Sequence, residues 1–514
     1  MKAWTWIARL GALAKAGALD GSLDELLRRG AEYQRTAEHG KAEDSFREAL
    51  ILQPENAAAL HMLADALGAR GYAHQERGEL DAAIECYLEA LALAPAQAQV
   101  HNNLGNAYRS RGRPEESIAA YRDAIAVVPG FAEAHLNLGT ALHLAGDAKQ
   151  AAAHYRTALR RRPELAQAAL NLGLLLEADG DVQGAMECYR RAIAARPEFA
   201  EAHFNYALQL LLTGEFARGW EEYEWRLRLP ELQPFWPYAD RPRWDGADLR
   251  GKVILLYAEQ GFGDSLQFAR YVPLVAERGR VIVSCRPQLK ALFEQAMWDC
   301  SVVDASEPPP AFDLCCSLPS LPRIFGTTHA TIPARVPYLH AEAGKAARWE
   351  ARLAADGIAL KVGLVWATEA RSRIALQKSL SLDMLEPLAA IPGVIFYSLQ
   401  KGPASAEVVR APNGLRLVDV AGELEDFSDT AALISRLDLV VTIDTAVAHL
   451  AGAMGKPVWT LTHWPPDWRW LLGHDDSPWY PTMRLFRRAR TDTWGDIILR
   501  VGQALLRLAE QRTG

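Results

Sequence analysis

Two short segments carry the side chains best suited to chemistry, and the first is Glu259-Gln-Gly-Phe-Gly-Asp264. It follows a buried apolar run, residues 253–257, and opens a stretch with helical spacing. Gly261 and Gly263 permit a tight turn with close backbone approach. Asp264 would stand at the helix start, where its carboxylate either faces a ligand cleft or only caps the helix. The glycine spacing of a dinucleotide site and the Gly-Lys-Ser/Thr of a P-loop are both missing, which argues against NAD binding and ATP hydrolysis.

The second segment is Thr442-Ile-Asp-Thr-Ala-Val-Ala-His449, which also runs from a strand into a helix. Asp444 and Thr445 lie at the strand end, and His449 follows Thr445 by one helical turn. A helix N-terminus offers free N–H groups, so with a hydroxyl and an imidazole beside it this is a good place for a pyrophosphate. The alternative is a threonine cap and a histidine that is satisfied in the core.

Two further groups of side chains follow predicted strands. A basic loop holds three cations suited to phosphate, Arg371, Arg373 and Lys378, although a solvated loop would have the same composition. Gln400 and Lys401 come after another strand end and could reach a nucleotide, or could form a surface turn. Neither group decides the function alone.

The elements that must position these residues alternate between strand and helix from Lys252 onward. Short apolar runs predict buried strands at residues 253–257, 281–284, 301–304, 361–366, 394–399, 439–443 and 457–461. Such alternation predicts parallel sheets covered by helices on both faces. Two blocks, about 250–340 and 360–500, with a helix at 346–356 between them, indicate an α/β part made of twin Rossmann-like domains. Their ligand cleft should lie at the carboxyl ends of the strands.

The first half of the chain is an internal repeat with a period of 34 residues. Four series of residues recur every 34 positions: closing prolines from Pro95, tyrosines from Tyr87, and two series of small residues that include Gly105 and Gly112. An earlier copy begins 41 residues ahead of the next one, so seven extra residues should lengthen a helix there. The period, with small residues where two helices cross, resembles the tetratricopeptide repeat and predicts an α solenoid of about six repeats.

Four asparagines keep the same period on the first helix of each repeat, Asn103, Asn137, Asn171 and Asn205. First helices line the concave face in this repeat family, so the asparagines would form a ladder along a groove for an extended peptide. A carboxamide has one acceptor and two donors, which match the backbone of an extended peptide of any sequence. O-linked N-acetylglucosamine transferases have a similar ladder. The alternative is that each asparagine bonds only within its own solenoid.

Composition narrows the class of protein. The chain has 514 residues, 50% hydrophobic and 23% charged, and a net charge of −7, which is ordinary for a multi-domain globular protein and argues against a nucleic-acid binder. Six cysteines lack zinc-site spacing and indicate reduced thiols. No uncharged apolar stretch is long enough for a membrane span, and no signal peptide is evident, so we expect a cytoplasmic protein.

The two predicted halves meet in a segment rich in proline and aromatic residues, which predicts a packed connector and not a long helix. The predicted boundaries are 1–22 for an N-terminal helical cap, 23–233 for the solenoid, 234–250 for the connector, 251–344 for an N-terminal Rossmann-like domain and 345–514 for a C-terminal one.

Together the two motifs resemble the heptosyltransferase-like glycosyltransferases of family 9, which have the twin-Rossmann GT-B fold. Gly263-Asp264 looks like that family's first-strand motif, whose aspartate is its proposed general base. Asp444-Thr445 with His449-Leu450 looks like its donor-binding motif. Trp366, residues 398–402 and Asp467-Trp-Arg-Trp470 resemble a bacterial group of repeat-containing transferases that includes flagellin glycosyltransferases. Ala367-Thr368 departs from that group's usual Gly-Asn, and Lys378 stands where it has arginine.

The resemblance implies an inverting, metal-independent glycosyltransferase that needs no cofactor beyond its donor substrate, a nucleotide-sugar. Residues 251–344 would then be the acceptor-side domain and residues 345–514 the nucleotide-sugar domain. Asp264 would be the base, and Asp444, Thr445, His449, Lys378 and Gln400 would bind the donor. The acceptor would be Ser or Thr of a protein, such as flagellin, that the repeats recruit. Two alternatives stay open: a non-catalytic scaffold with a degenerate GT-B domain, and a transferase acting on lipopolysaccharide or another glycan.

Overall fold

The computed structural model describes residues 21–235, 238, 240–369 and 373–513. The chain divides into two compact units. The first contains residues up to 176 together with 187–197, and the second contains 177–186 together with 198–514. The predicted N-terminal cap lies almost wholly outside the described residues, as does Arg371. The predicted domain boundaries stay predictions.

The predicted α solenoid is confirmed. Between residues 21 and 235, twelve α-helices form six pairs: Leu23–Arg35, His39–Leu52, Ala57–Glu76, Leu80–Leu93, Ala98–Ser110, Pro114–Val127, Ala132–Leu144, Ala148–Arg161, Ala166–Asp179, Val182–Ala195, Ala200–Leu212 and Phe216–Tyr223. Helix Ala57–Glu76 has 20 residues where most of the others have 13 or 14. The insertion of seven residues therefore lengthens a helix, as predicted.

The periodic residues explain the close helix pairing. In the repeat that contains Gly105, a Cβ atom on that glycine would lie 2.5 Å from the Tyr121 ring, so the aromatic side chain occupies the space that glycine leaves. Tyr121 is fully buried and belongs to the second helix of the same repeat. Gly112, between the two helices, has φ +76°, a conformation that favours glycine. The repeat pattern thus encodes a ring-on-glycine contact and a tight turn.

The second half contains two parallel sheets, as predicted. The first sheet has the order β3-β2-β1-β4, with β1 Val253–Tyr257, β2 Arg280–Cys285, β3 Cys300–Asp304 and β4 Leu314–Ser317. The pairing of β1 with β2 begins with Val253 opposite Arg280, and its pairing with β4 begins with Ile254 opposite Leu314. Four helices accompany these strands: Phe262–Phe268, Val272–Ala276, Pro287–Glu294 and Leu321–Ile324.

The second sheet has six parallel strands in the order β7-β6-β5-β8-β9-β10, the 3-2-1-4-5-6 order of doubly wound folds. They are β5 Leu360–Val365, β6 Val394–Ser398, β7 Leu417–Asp419, β8 Leu439–Ile443, β9 Val458–Thr462 and β10 Met483–Arg487. Its helices are Ala343–Leu353, Arg373–Lys378, Phe427–Arg436, Ala446–Ala453 and Trp494–Thr513. Every residue of β5 and β8 is buried, which is why these strands read as continuous apolar runs.

The last helix pair of the repeats shares a compact unit and a hydrophobic core with the sheets. Trp220 in helix Phe216–Tyr223 is 2% exposed, and its indole nitrogen donates to the carbonyl of Thr327 at 3.1 Å. In the part of the chain that the structure describes, no helix combines the length and the apolar character that crossing a bilayer requires.

Candidate functional site

The candidate site lies where the order of the strands reverses in each sheet. A ligand crevice forms at such a switch point because the helices after adjacent strands leave in opposite directions. Here a cavity of about 470 Å³ opens beyond the carboxyl ends of β1, β5, β6 and β8. Its walls include residues 261–263, 365, 367–369, 399–401, 424–427 and 445–447. The two sequence motifs therefore line one cavity, at the place predicted for a cleft.

Asp264 does not project freely into this cavity, because both of its carboxylate oxygens have partners. Oδ2 accepts a hydrogen bond from the backbone N–H of Gly261 at 3.0 Å, which caps helix Phe262–Phe268 from its third position. Oδ1 forms an ion pair with the guanidinium of Arg469. The Asp264 side chain is 13% exposed. The carboxylate thus does cap its helix, and it also meets an arginine that the sequence did not predict.

Arg469 belongs to a row of buried charges that alternate in sign. Its Nη1 donates to Asp467 Oδ1 at 2.9 Å, and Lys378 Nζ lies 2.6 Å from Asp444 Oδ2. Burial alone would raise the pKa of Asp444, but the Lys378 ammonium holds it below its ordinary value. Burial would also raise the pKa of Asp467, but the charges of Arg469 and then Lys378 hold it below its ordinary value. Asp444 and Asp467 therefore stay ionised at neutral pH.

Thr445 precedes helix Ala446–Ala453 and has extended backbone dihedrals. Its hydroxyl lies 3.0 Å from that of Thr442 and does not cap the helix. Thr445, Ala446 and Val447 all line the cavity. The first N–H groups of this helix have no acceptor within the helix, so a ligand oxygen in the cavity could take them.

His449 is held firmly behind this helix N-terminus. It is 4% exposed, its Nδ1 lies 2.9 Å from the Tyr480 hydroxyl, and its ring stacks on Trp470 with centroids 5.3 Å apart. Burial, followed by the nearby charge of Arg469, lowers the pKa of His449 to about 3. The imidazole is therefore neutral at physiological pH and does not bring positive charge to a phosphate.

Gln400 lines the cavity, yet its carboxamide is committed to the backbone. Its Oε1 accepts from the N–H groups of Trp366 and Ala367 at 3.1 and 2.9 Å, and its Nε2 donates to the carbonyls of Ala367 and Lys401 at 3.0 and 2.7 Å. These contacts join the turns after β5 and β6. They support a structural role in shaping the wall, while direct donor binding by Gln400 stays a prediction.

The four periodic asparagines each have a local partner. Asn103 accepts from Gln99 at 2.9 Å, Asn137 donates to Asn102 at 2.9 Å, and Asn205 donates to a backbone carbonyl of its own helix at 2.7 Å. Asn171 donates to Thr140 and Tyr155 and accepts from Gln167. All four are half-buried. These bonds favour a role within the repeats, and peptide binding by the ladder stays a prediction.

Three residues at the site were not predicted from the sequence to belong to it. Arg469 and Asp467 lie in the motif quoted above for its resemblance, but only the fold brings them to Asp264 and Lys378. His463 follows β9, is 7% exposed, and its Nδ1 has no hydrogen-bond partner in the part of the chain that is described. Burial, with Lys378 next in effect, lowers its pKa to about 4. Among the described residues no group of three His, Cys, Asp or Glu side chains could hold a metal ion.

The two neutral histidines should make the protein sensitive to mild acid. The unfolded chain binds protons at pH ~6.5, whereas folded His449 and His463 bind them near pH 3 and 4. Stability should therefore fall as pH drops below ~6.5, by about 1.4 kcal/mol per pH unit for each histidine. Urea unfolding at pH 7 and pH 5 checks this. Between pH 7 and pH 5 the free energy of unfolding of His463→Gln should fall by about 2 kcal/mol less than that of the wild type. Equal falls would contradict the low pKa of folded His463.

Comparisons with known proteins agree with this architecture. Residues 393–463 match the model of glycosyltransferase family 9 (heptosyltransferase), a span that includes Asp444, Thr445 and His449. Residues 71–109 match a TPR repeat model, and residues 103–166, 136–193 and 170–224 match a tetratricopeptide repeat model.

Protein FlbA of Caulobacter vibrioides is 31% identical in an alignment 324 residues long, which covers 57% of this chain and 53% of that protein. The chain thus spans about half the length of this curated relative. Among solved structures, MamA is 22% identical, with 34% of this chain and 96% of that chain covered at a TM-score of 0.28. PilF of Pseudomonas aeruginosa is 22% identical, with 41% and 92% covered at a TM-score of 0.33. The chain thus joins tetratricopeptide repeats to a segment that matches glycosyltransferase family 9 (heptosyltransferase).

Proposed function

We propose that this protein is a cytoplasmic, inverting glycosyltransferase that moves a sugar from a nucleotide-sugar to Ser or Thr of a protein acceptor. The observation that carries the proposal is the cavity of about 470 Å³ between the two sheets, with an open helix N-terminus on one wall and the turn before Asp264 on the other. Six cysteines in a chain of 514 residues, without the density of a disulfide framework, support a reducing compartment. The reaction needs no cofactor or metal beyond the donor, which is a nucleotide-sugar.

The donor's pyrophosphate would lie against the start of helix Ala446–Ala453. Backbone N–H groups and the Thr445 hydroxyl would donate to its oxygens, and the helix dipole would favour its negative charge. Lys378 lies within reach of the same strand end, where it is paired with Asp444. As the sugar leaves, these groups stabilise the charge that develops on the phosphate.

Asp264 would act on the acceptor. Its carboxylate takes the proton from the acceptor hydroxyl while that oxygen forms a bond to the anomeric carbon, and the electron pair of the breaking C–O bond leaves with the nucleoside diphosphate. Attack from the face opposite the leaving group inverts the anomeric configuration. For this step Arg469 must share Asp264 with the substrate, because the ion pair occupies one oxygen in the free protein.

The repeats would recruit the acceptor protein, of which flagellin is the example that the sequence resemblance suggests. A scaffold without turnover and a transferase for lipopolysaccharide or another glycan are the alternatives. The occupied carboxylate of Asp264 is the observation that favours the scaffold. Direct assay separates the three: purified protein is incubated with nucleotide-sugars and with acceptor protein or glycan, and intact mass is measured. Added sugar mass on protein Ser or Thr supports the proposal, mass on the glycan supports the third function, and no transfer or binding supports the scaffold.

Donor binding gives a sharper prediction. Thr445→Val removes the hydroxyl at the helix N-terminus and keeps the side-chain volume. A hydrogen bond to a charged group contributes about 1.5–3 kcal/mol, so the affinity for the preferred nucleoside diphosphate should fall ~10–150-fold. Isothermal titration with a panel of nucleoside diphosphates measures it. Thr445→Ser, which keeps the hydroxyl, is the matched control and should bind like the wild type. Equal affinity in all three proteins would move the pyrophosphate away from this helix.

A further inference from the structure

The turn that carries the candidate base is held by an arginine from the end of the repeats. Arg226 lies three residues after helix Phe216–Tyr223, in the 3₁₀ turn Glu224–Arg228, and its side chain is fully buried. Its Nε donates to Glu259 Oε1 at 2.6 Å, and this glutamate side chain is also fully buried. Glu259 begins the first sequence motif, two residues beyond β1.

The other guanidinium hydrogens are also taken. Nη1 donates to Glu224 at 2.7 Å and to the carbonyl of Tyr223 at 3.1 Å, and Nη2 donates to Ser320 at 2.7 Å and to Ser317 at 3.3 Å. Ser317 ends β4, which pairs with β1. Arg226 therefore connects the end of the last repeat, the end of β4 and the turn after β1 through one rigid planar group.

The turn itself needs such support. Gln260 has φ +60°, the left-handed region that is costly for a residue with a side chain. Arg286 donates to the Gln260 carbonyl from the other side. Gly261 follows, and its N–H donates to Asp264. A continuous set of contacts thus runs from Arg226 through Glu259 and the strained Gln260 to the carboxylate of Asp264.

Stability alone does not account for this pair. Removing an arginine from water is costly, and apolar residues of similar volume often replace a buried ion pair without loss of stability. What an apolar pair cannot supply is the direction of five N–H groups. We infer that Arg226 is a positioning residue for the transferase, which sets the Glu259–Gly261 turn and through it Asp264. The final repeat is then part of the catalytic unit. This inference rests on the proposed function in taking Asp264 as the base.

The test separates position from stability by comparing three variants. Arg226→Lys keeps the charge but loses the planar donors, and Glu259→Gln keeps the shape but loses the charge. The double replacement Arg226→Met with Glu259→Met removes both charges of the fully buried pair. Glu224 also loses Arg226, but its side chain is 23% exposed and keeps the hydrogen bond from Ser320. We expect kcat to fall by about 10²-fold in all three, with the KM for the nucleotide-sugar within twofold of wild type, because a small misplacement of a reacting group has that cost. The double variant should melt near the wild-type temperature.

A double variant that melts like the wild type and keeps its kcat would overturn the inference. So would losses of kcat that merely follow the fall in melting temperature across the set. If the double variant does not fold, Arg226→Lys decides by its split between kcat and KM.

Hydrogen exchange distinguishes failure of this inference from failure of the proposed function. The Gly261 amide, which donates to Asp264, should exchange at least ~10-fold faster in Arg226→Lys than in the wild type. Unchanged exchange would overturn the positioning role. Faster exchange in a protein that transfers no sugar would leave the positioning role in place and defeat only the proposed function.

Discussion

Replacing Asp264 with asparagine should slow sugar transfer by ~10²–10⁴-fold, the usual contribution of a positioned general base. Asparagine keeps the shape of the side chain, and its oxygen can still accept the Gly261 N–H, so the helix cap should survive. What it loses is the ability to take a proton from the acceptor hydroxyl. Initial rates with saturating nucleotide-sugar, measured by release of the nucleoside diphosphate, check the effect.

The chain offers a closely matched control in Asp429. This aspartate occupies the same third position of helix Phe427–Arg436, accepts the N–H of Asp426 at 3.3 Å, and is paired with Lys345 at 2.6 Å. It therefore has both structural roles of Asp264 and no proposed role in the reaction. Asp429→Asn should transfer sugar at the wild-type rate. If the two variants lose equally little activity, Asp264 is only a cap and an ion-pair partner.

A single methyl group added at Gly263 should also slow sugar transfer strongly. Gly263 faces His449 so closely that a Cβ atom there would lie 2.8 Å from the imidazole Cδ2. The imidazole cannot retreat, because Tyr480 and Trp470 hold it from behind. Gly263→Ala should therefore push the two motifs apart by a few tenths of an ångström or more. We expect transfer to fall by up to ~10²-fold, since the reacting groups no longer meet in the right geometry.

Gly422→Ala is the control for this prediction. A Cβ atom on Gly422 meets no heavy atom within 4 Å, and the residue lies near the same cavity without lining it. This variant should keep the wild-type rate. Normal transfer by Gly263→Ala would show that the contact with His449 can relax at no cost to the reaction.

The parts of the fold that repeat or that bury continuous apolar runs could be predicted from the sequence. The helix pairs could be predicted from the 34-residue period because five of the six copies repeat the ring-on-glycine contact of Gly105 and Tyr121, and the last copy has Ala207 in place of the glycine. Three strands were missed: β4, β7 and β10. β4 is four residues with two cysteines, β7 has three residues, and β10 begins and ends near arginines that interrupt its apolar pattern. Short or edge strands carry too little pattern to be recognised locally.

Some contacts of the candidate site could likewise be predicted from the sequence, and others could not. Asp444, Thr445 and His449 could be predicted because eight consecutive residues hold them between a strand and a helix. The ion pair of Lys378 with Asp444 joins residues 66 positions apart, and that of Asp264 with Arg469 joins residues 205 apart. Such pairs depend on how the two sheets face each other, which no local spacing encodes. The commitment of Gln400 to backbone groups was hidden for the same reason.

The distance along the chain between Asp264 and Arg469 also has a consequence in time. Ribosomes add ~5–20 residues per second, so about 10–40 s pass between the synthesis of the carboxylate and the synthesis of its partner. Each repeat contacts mainly its neighbours in the sequence, so the first helices can fold while the rest of the chain is still being made. During that interval a nascent chain has folded repeats and no complete cavity. If the protein has the proposed function, such a chain could bind an acceptor protein before it could transfer sugar to it.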